Sequence, residues 1–188
     1  MEVEKIKKME NEARVAELNP RGTLIRAGFK EGMNLCDIGA GTGLFSFPAA
    51  EISKNDIYAL EVSEQMIGLL SERMAERNIK NLIIKKVDSD MLPLDDNCCD
   101  MAIMVTVLHE LDKKDLMLEE IKRILKQSGK LMVIEFHSGK TPMGPPVEQR
   151  LAQEYVEELC KKHGLHSRSS SSFGENFYGV VFEKRASQ

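Results

Sequence analysis

Short apolar stretches alternate with amphipathic helical patterns along most of this chain, and few folds accommodate that rhythm. The stretches at 33–38, 56–61, 81–87, 99–107 and 130–136 have the length and apolar character of strands. Between them, 43–53, 63–78 and 112–126 carry apolar residues at helical spacing; Met66, Ile67, Leu70 and Met74 share one face. Strand–helix alternation demands crossover connections, hence a mainly parallel sheet with helices packed on it. Two more strands, 165–172 and 177–184, are joined by too few residues for a crossover and must pair antiparallel. The pattern predicts an α/β, doubly wound, seven-stranded sheet with a C-terminal antiparallel hairpin.

Punctuation residues refine this outline. Val3, Ile6, Met9 and Ala13 recur about one turn apart, which predicts one helix running to Asn19-Pro20, where the proline disfavours helical geometry in the residue before it. A second short helix reaches about Ala27. Ser63 caps the helix over 63–78, Pro48 is a flaw near the first turns of 43–53, and Asp112 with Asp115 forms a capping arrangement for 112–126. A helix from about Val147 to His163 ends at Gly164. The serine run at 167–172 reads equally as a flexible linker or an exposed strand. One domain is expected throughout: a helical cover over 1–30, a ligand-binding core over 31–136, and a C-terminal helix and hairpin over 137–188.

Composition excludes several classes. No apolar run approaches the ~18–20 residues that span a bilayer. The first eighteen residues are charged throughout, without an apolar signal core, so a cytoplasmic location and no membrane association are expected. The net charge of −4 comes without a basic block, so no nucleic-acid footprint is evident. Cys36, Cys98, Cys99 and Cys160 fit no zinc spacing, and no metal site is expected.

The run "NLCDIGAGTGLFSF" is the chemically informative stretch. A strand ending in Asp37 must turn sharply through Gly39, Gly41 and Gly43 into a helix. Glycines permit positive φ and let a ligand lie against bare backbone, beside amides at the helix start. A tight turn with no ligand is one reading. A dinucleotide site is another, but its fingerprint needs a third glycine three residues after the second, where Leu44 stands. Asp37 would also repel a pyrophosphate. A ligand with a cationic amino acid at one end and a nucleoside at the other fits both the glycines and the acid, and S-adenosylmethionine is such a molecule. Glu61, at the end of the second strand and 20 residues past Gly41, is placed to accept from ribose hydroxyls.

"LCDIGAGTG", "YALEVSEQMI", "VDSDMLPLDDNCCDMAIMVTVLHEL" and "LKQSGKLMVIEF", in that order across about 30–136, resemble the motif series of class I S-adenosylmethionine-dependent methyltransferases, a Rossmann-like family. The flavour is similar to the small-molecule enzymes of the ubiquinone/menaquinone-biosynthesis group. The resemblance implies that Asp37 reaches the methionine amino group, directly or through water. It places Gly39 and Gly41 against the methionyl and ribose parts, with Gly43 opening the helix. Glu61 would bind the ribose, and Val62 and Met66 would pack on the adenine. Asp88 would accept from the adenine amine, Ser89 would donate its backbone amide to the ring, and Thr106 would line the methionyl end. The product would be S-adenosylhomocysteine.

In-line transfer of an activated methyl needs mainly alignment, and a base only where the acceptor loses a proton. In a sheet of this kind the acceptor sits beyond the carboxyl ends of the fourth and fifth strands. His109 and His137 follow those strands and are candidate catalytic groups, each with a loop-bonded structural role as the alternative. Glu110 and Glu135 read as supporting residues. Arg150 is a candidate clamp for an anionic substrate, with an ion pair as the alternative. The function expected is methyl transfer to a small-molecule acceptor. A non-catalytic cofactor-binding module and a methyltransferase acting on a macromolecule stand as alternatives, and the acceptor atom and oligomeric state are left open.

Overall fold

The computed structural model describes residues 2–185. Seven strands form one mixed sheet, and the chain divides into two compact units, residues 1–88 and 89–188.

The first unit opens with three helices, α1 (Glu2–Met9), α2 (Glu12–Leu18) and α3 (Pro20–Arg26). The single N-terminal helix expected from periodicity is broken at Asn11. Its side chain accepts from the amides of Ala13 (3.0 Å) and Arg14 (3.3 Å), so it starts a new helix rather than continuing the old one. Asn19 turns left-handed at φ 37° and Pro20 occupies the first position of α3, where a missing N–H costs nothing. Then follow β1 (Leu35–Ile38), α4 (Ser46–Ile52), β2 (Ile57–Glu61), α5 (Glu64–Glu76) and β3 (Leu82–Lys86). The strands are parallel in the order β3-β2-β1. Pro48 sits in the first turn of α4, where its nitrogen has no helical partner. Ser63 caps α5 by accepting from the amide of Met66. Leu35, Cys36, Ala59, Leu60 and Leu70 are fully buried and make the core of this unit.

The second unit contains β4 (Cys99–Val105), α6 (Lys114–Ile124), β5 (Leu125–Phe136), α7 (Gln153–Lys162), β6 (Leu165–Phe173) and β7 (Phe177–Lys184), in sheet order β4-β5-β7-β6. β4 and β5 are parallel; β7 runs antiparallel to both β5 and β6. The serine run is strand, not linker. It forms an edge whose middle residues are exposed, guarded by Arg168 at a register shift and paired with Glu183 on β7. Two other expectations need correction. Asp112 does not cap α6, because Lys113 occupies the cap without a side-chain bond and Asp115 turns to Lys162 (2.8 Å) and His163 (2.9 Å). The last helix starts at Gln153 rather than Val147. Residues 147–149 form only a 3-10 turn after Pro145-Pro146, and Arg150 holds the chain extended beyond it by bonds to earlier loop carbonyls.

Candidate functional site

In the first unit, the turn from β1 to α4 is held in left-handed backbone at Gly39 (φ 71°), Gly41 (φ 53°) and Gly43 (φ 83°). The glycines serve different needs. A Cβ on Gly43 would strike Phe47 and Leu70, so this residue allows close packing of α4 and α5 and stands three residues before α4 rather than at its start. The bare face of Gly41 lies under the methyl end of Met9, which belongs to α1. Glu10, next in the chain, pairs with Arg73 of α5, and the same guanidinium donates to the carbonyl of Thr42 (3.0 Å). This pairing holds the Glu10 carboxyl below its ordinary range, first through the Arg73 hydrogen bond.

Four of the turn amides are engaged within the fold. Those of Gly39 (2.9 Å) and Ala40 (3.0 Å) donate to the Leu60 carbonyl, and that of Gly43 to Ala40 (2.9 Å). The Gly41 amide donates to Glu61 Oε2 at 2.8 Å, and Glu61 Oε1 accepts from the amides of Val62 (2.9 Å) and Ser63 (3.0 Å). The carboxylate expected to bind a ribose thus also pins the turn, with three of its roughly four acceptor positions in use. The amides of Gly39, Ala40, Gly41 and Gly43 are thus already bonded, and Glu61 is the polar group that the turn presents beside them.

Asp37 is 3% exposed and accepts from the Ser46 hydroxyl at 2.6 Å. Burial pushes its carboxyl up to about 7; the Ser46 bond opposes the rise and the charge of Glu61 adds to it. A cation brought close would favour the ionised form. Val62, beside Glu61, is 67% exposed and offers an apolar face to solvent. Met66 does not: it is 1% exposed, because α5 turns it inward with Leu70. Asp88 is exposed just past β3.

In the second unit, Ser89 bonds Met91 through its hydroxyl, to the amide (3.3 Å) and the carbonyl (3.2 Å). Val105 and Ile134 are register partners on β4 and β5, and the Thr106 amide donates to the Ile134 carbonyl at 2.7 Å. Thr106 has φ 56°, an unfavourable conformation for a β-branched residue. It reverses the chain into a 3-10 turn at Leu108–Glu110 and brings His109 to Glu135. Glu135 is 1% exposed; its Oε1 accepts the His109 amide (3.1 Å) and its Oε2 lies 2.7 Å from Nδ1 of the His109 ring. The Phe136 ring meets the imidazole edge-on at 6.1 Å. Burial pulls the His109 pKa down, but the Glu135 hydrogen bond and charge, with Glu110 behind them, outweigh it and leave it raised.

His137 is separate from this pair. Its ring bonds Ser172 (3.2 Å) and lies near Tyr178. Arg150 is occupied by its own loop: Nε donates to Pro145, one terminal nitrogen to His137, Gly139 and Thr141, and the other to Met143. As placed, it organises residues 137–145 instead of presenting a clamp, because five acceptors surround the guanidinium.

A family model described as a methyltransferase domain matches residues 29–180, most of the chain. The chain belongs to the methyltransferase-domain family. The chain is similar to ubiquinone/menaquinone biosynthesis C-methyltransferases UbiE. It is 31% identical over 119 residues to that of Cellvibrio japonicus, covering 62% of this chain and 48% of the relative. It is 30% identical over 135 residues to that of Allorhizobium ampelinum, covering 70% and 50%. The chain spans about half the length of these curated relatives. Among solved structures, a SAM-dependent methyltransferase from Aquifex aeolicus superposes with a TM-score of 0.89 at 28% identity, covering 96% of this chain and 97% of that one.

Three side chains have roles that the sequence does not announce. Ser46, Met9 and Arg73 acquire their roles only through contacts 9 to 32 positions away, with Asp37, Gly41 and Thr42. The helical period marks Met9 as a buried face, but nothing in it names Gly41 as the surface it covers. Cys98 and Cys99 place their sulfurs 3.5 Å apart, and burial, with Cys99 behind it, pushes the Cys98 thiol up to about 12, away from thiolate chemistry. Among the described residues no group of three His, Cys, Asp or Glu could hold a metal ion, and no helix is long and apolar enough to cross a membrane.

Proposed function

We propose that this chain transfers the methyl group of S-adenosylmethionine to a small-molecule acceptor. The observation that carries the reading is the coupling of Glu61 to Gly41. It ties an acid at the end of β2 directly to the glycine turn after β1, where a nucleoside with a cationic tail finds a hydroxyl acceptor beside an apolar surface. The residues present fit such a group. Glu61 would hold the sugar, Val62 would lie on the base with Asp88 and Ser89 toward its edge, and Asp37 would answer the ammonium. Thr106 would face the methionyl part. When bound, the cofactor supplies an electrophilic methyl on a sulfonium. Met9 covers Gly41, so α1 would move aside or share that surface as the nucleoside enters.

The names of the matched relatives support a small-molecule acceptor and point to carbon as the methylated atom. The test is to incubate the purified chain with methyl-labelled S-adenosylmethionine and a deproteinised bacterial metabolite extract. Formation of S-adenosylhomocysteine together with a labelled small product is expected. Cofactor binding without any S-adenosylhomocysteine would leave a non-catalytic module. Label appearing only in added RNA or protein would overturn the substrate class.

A further inference from the structure

We propose that Glu135 is a positioning residue that fixes His109 with its proton on Nδ1 and leaves Nε2 to take a proton from the methyl acceptor. The inference rests on the methyl-transfer reading and adds the chemical class of acceptor: one whose nucleophilic atom still carries a proton, as a carbon acid, a phenol or an amide-like N–H does. Glu135 grips two points of one residue, the backbone amide at 3.1 Å and the ring nitrogen at 2.7 Å. A carboxylate that accepts from the amide through one oxygen offers acceptor capacity to the ring through the other, and this pairing suits Nδ1 as the donor. Nε2 then holds the free lone pair. The Glu110 carboxylate lies 3.9 Å from it, too far for a hydrogen bond.

The surroundings suit proton acceptance. His109 is held between Glu135 on β5, Glu110 in its own 3-10 turn and Lys114 at the start of α6; the two acids favour an imidazolium and the lysine opposes it. Phe136 fixes the ring edge. The strained Thr106 makes the turn that delivers His109 to Glu135, a backbone cost that a purely packing histidine would not require. In the reaction, the acceptor X–H gives its proton to Nε2. The electron pair of X forms the X–C bond while the C–S bond breaks with its pair remaining on sulfur. The products are X–CH3, the neutral thioether S-adenosylhomocysteine, and an imidazolium that returns its proton to water.

The test has two readouts. Nitrogen-15 NMR of the histidine side chains, on the full chain without substrate, reads the tautomer. The neutral His109 of the wild type is expected as the Nδ1–H form, and Glu135→Gln, whose amide puts a donor where an oxygen stood, is expected to shift it toward Nε2–H. In the labelled-methyl assay with metabolite extract, Glu135→Gln is expected to lower kcat roughly a hundredfold. It should also move the acid limb of the pH profile to lower pH, while affinity for S-adenosylmethionine by calorimetry stays within about twofold. His109→Asn should lose the acid limb altogether. An Nε2–H tautomer in the wild type overturns the proposal even if Glu135→Gln does not fold. So does a Glu135→Gln profile and rate equal to wild type. A wild type that shows the Nδ1–H form but makes no S-adenosylhomocysteine refutes the transfer reading itself, a result distinct from the wrong tautomer.

Discussion

Glu61 pins the glycine turn and is proposed to hold the sugar of the cofactor, and a substitution should register in both respects. Each hydrogen bond to a charged group contributes roughly 1.5–3 kcal/mol, so losing the carboxylate should weaken S-adenosylmethionine binding about ten- to a hundredfold in a calorimetric titration. Glu61→Ala also strips an acceptor from the amides of Gly41, Val62 and Ser63, so its melting temperature should fall as well. Unchanged affinity would remove Glu61 from the site. Asp37 gives a pH signature instead. Its carboxyl sits near 7 in the folded chain, well above its ordinary 3.8, so the fold favours the protonated form. The associated stability is present below the unfolded value and is lost as pH rises toward 7. Asp37→Asn keeps an oxygen for Ser46 and should therefore be more stable than wild type at pH 8, by on the order of a few kcal/mol and with a correspondingly higher melting temperature, and hardly different at pH 4. Cation binding runs the other way, since an ammonium needs the ionised acid. Wild-type affinity for S-adenosylmethionine should weaken about tenfold from pH 8 to 6, and the Asn variant should lose that slope. Both carboxylates were legible in the sequence because strand ends and glycine turns announce themselves locally. Their present partners were not, since Ser46 and the Gly41 amide reach them only through the folded turn.

At the level of elements, the strands were the most legible part and the helix ends the least. Apolar runs such as "MAIMV" are buried on both faces and signal themselves by composition alone. Helix starts depend on single side chains with competing partners: Asn11 caps α2 and splits a continuous period, and Asp115 leaves its expected cap for Lys162 and His163 of the second unit. The connection of α1 to α5 is of the same kind. Arg73 bonds both Glu10 and the Thr42 carbonyl, yet the ion pair is partly exposed, with side chains 22% and 32% accessible, so it is worth about 1 kcal/mol at most. Arg73→Met should lower global stability only slightly. It should speed amide exchange across α1 and α2 much more, because that helix pair loses its tie to the glycine turn. The Glu10 carboxyl is depressed, so this tie holds above the ordinary glutamate range and is lost as pH falls through the lowered value. Exchange rates in α1 that do not change in the variant would show that Met9 on Gly41 holds the cover unaided.

For the whole molecule, the choice of ligand is the decisive question, and stability reads it directly. A ligand that binds only the folded chain raises stability by RT ln(1 + [L]/Kd), about 2.7 kcal/mol at a hundredfold excess over Kd. For 188 residues each kcal/mol corresponds to roughly 2–4 °C, so a shift of roughly 5–10 °C is expected with saturating S-adenosylmethionine or S-adenosylhomocysteine. NAD should give none. Its pyrophosphate would approach Asp37 and Glu61, the amides of Gly39, Ala40, Gly41 and Gly43 are already bonded internally, and Leu44 stands where the dinucleotide fingerprint needs a glycine. The two S-adenosyl ligands share the ammonium and the nucleoside and differ in the sulfonium. Comparable shifts would therefore place the binding energy on the groups that answer the ammonium and the nucleoside, Asp37 and Glu61, and not on the methyl. A shift with NAD and none with S-adenosylmethionine would reverse the assignment of the glycine turn, and with it the role proposed for every residue around it.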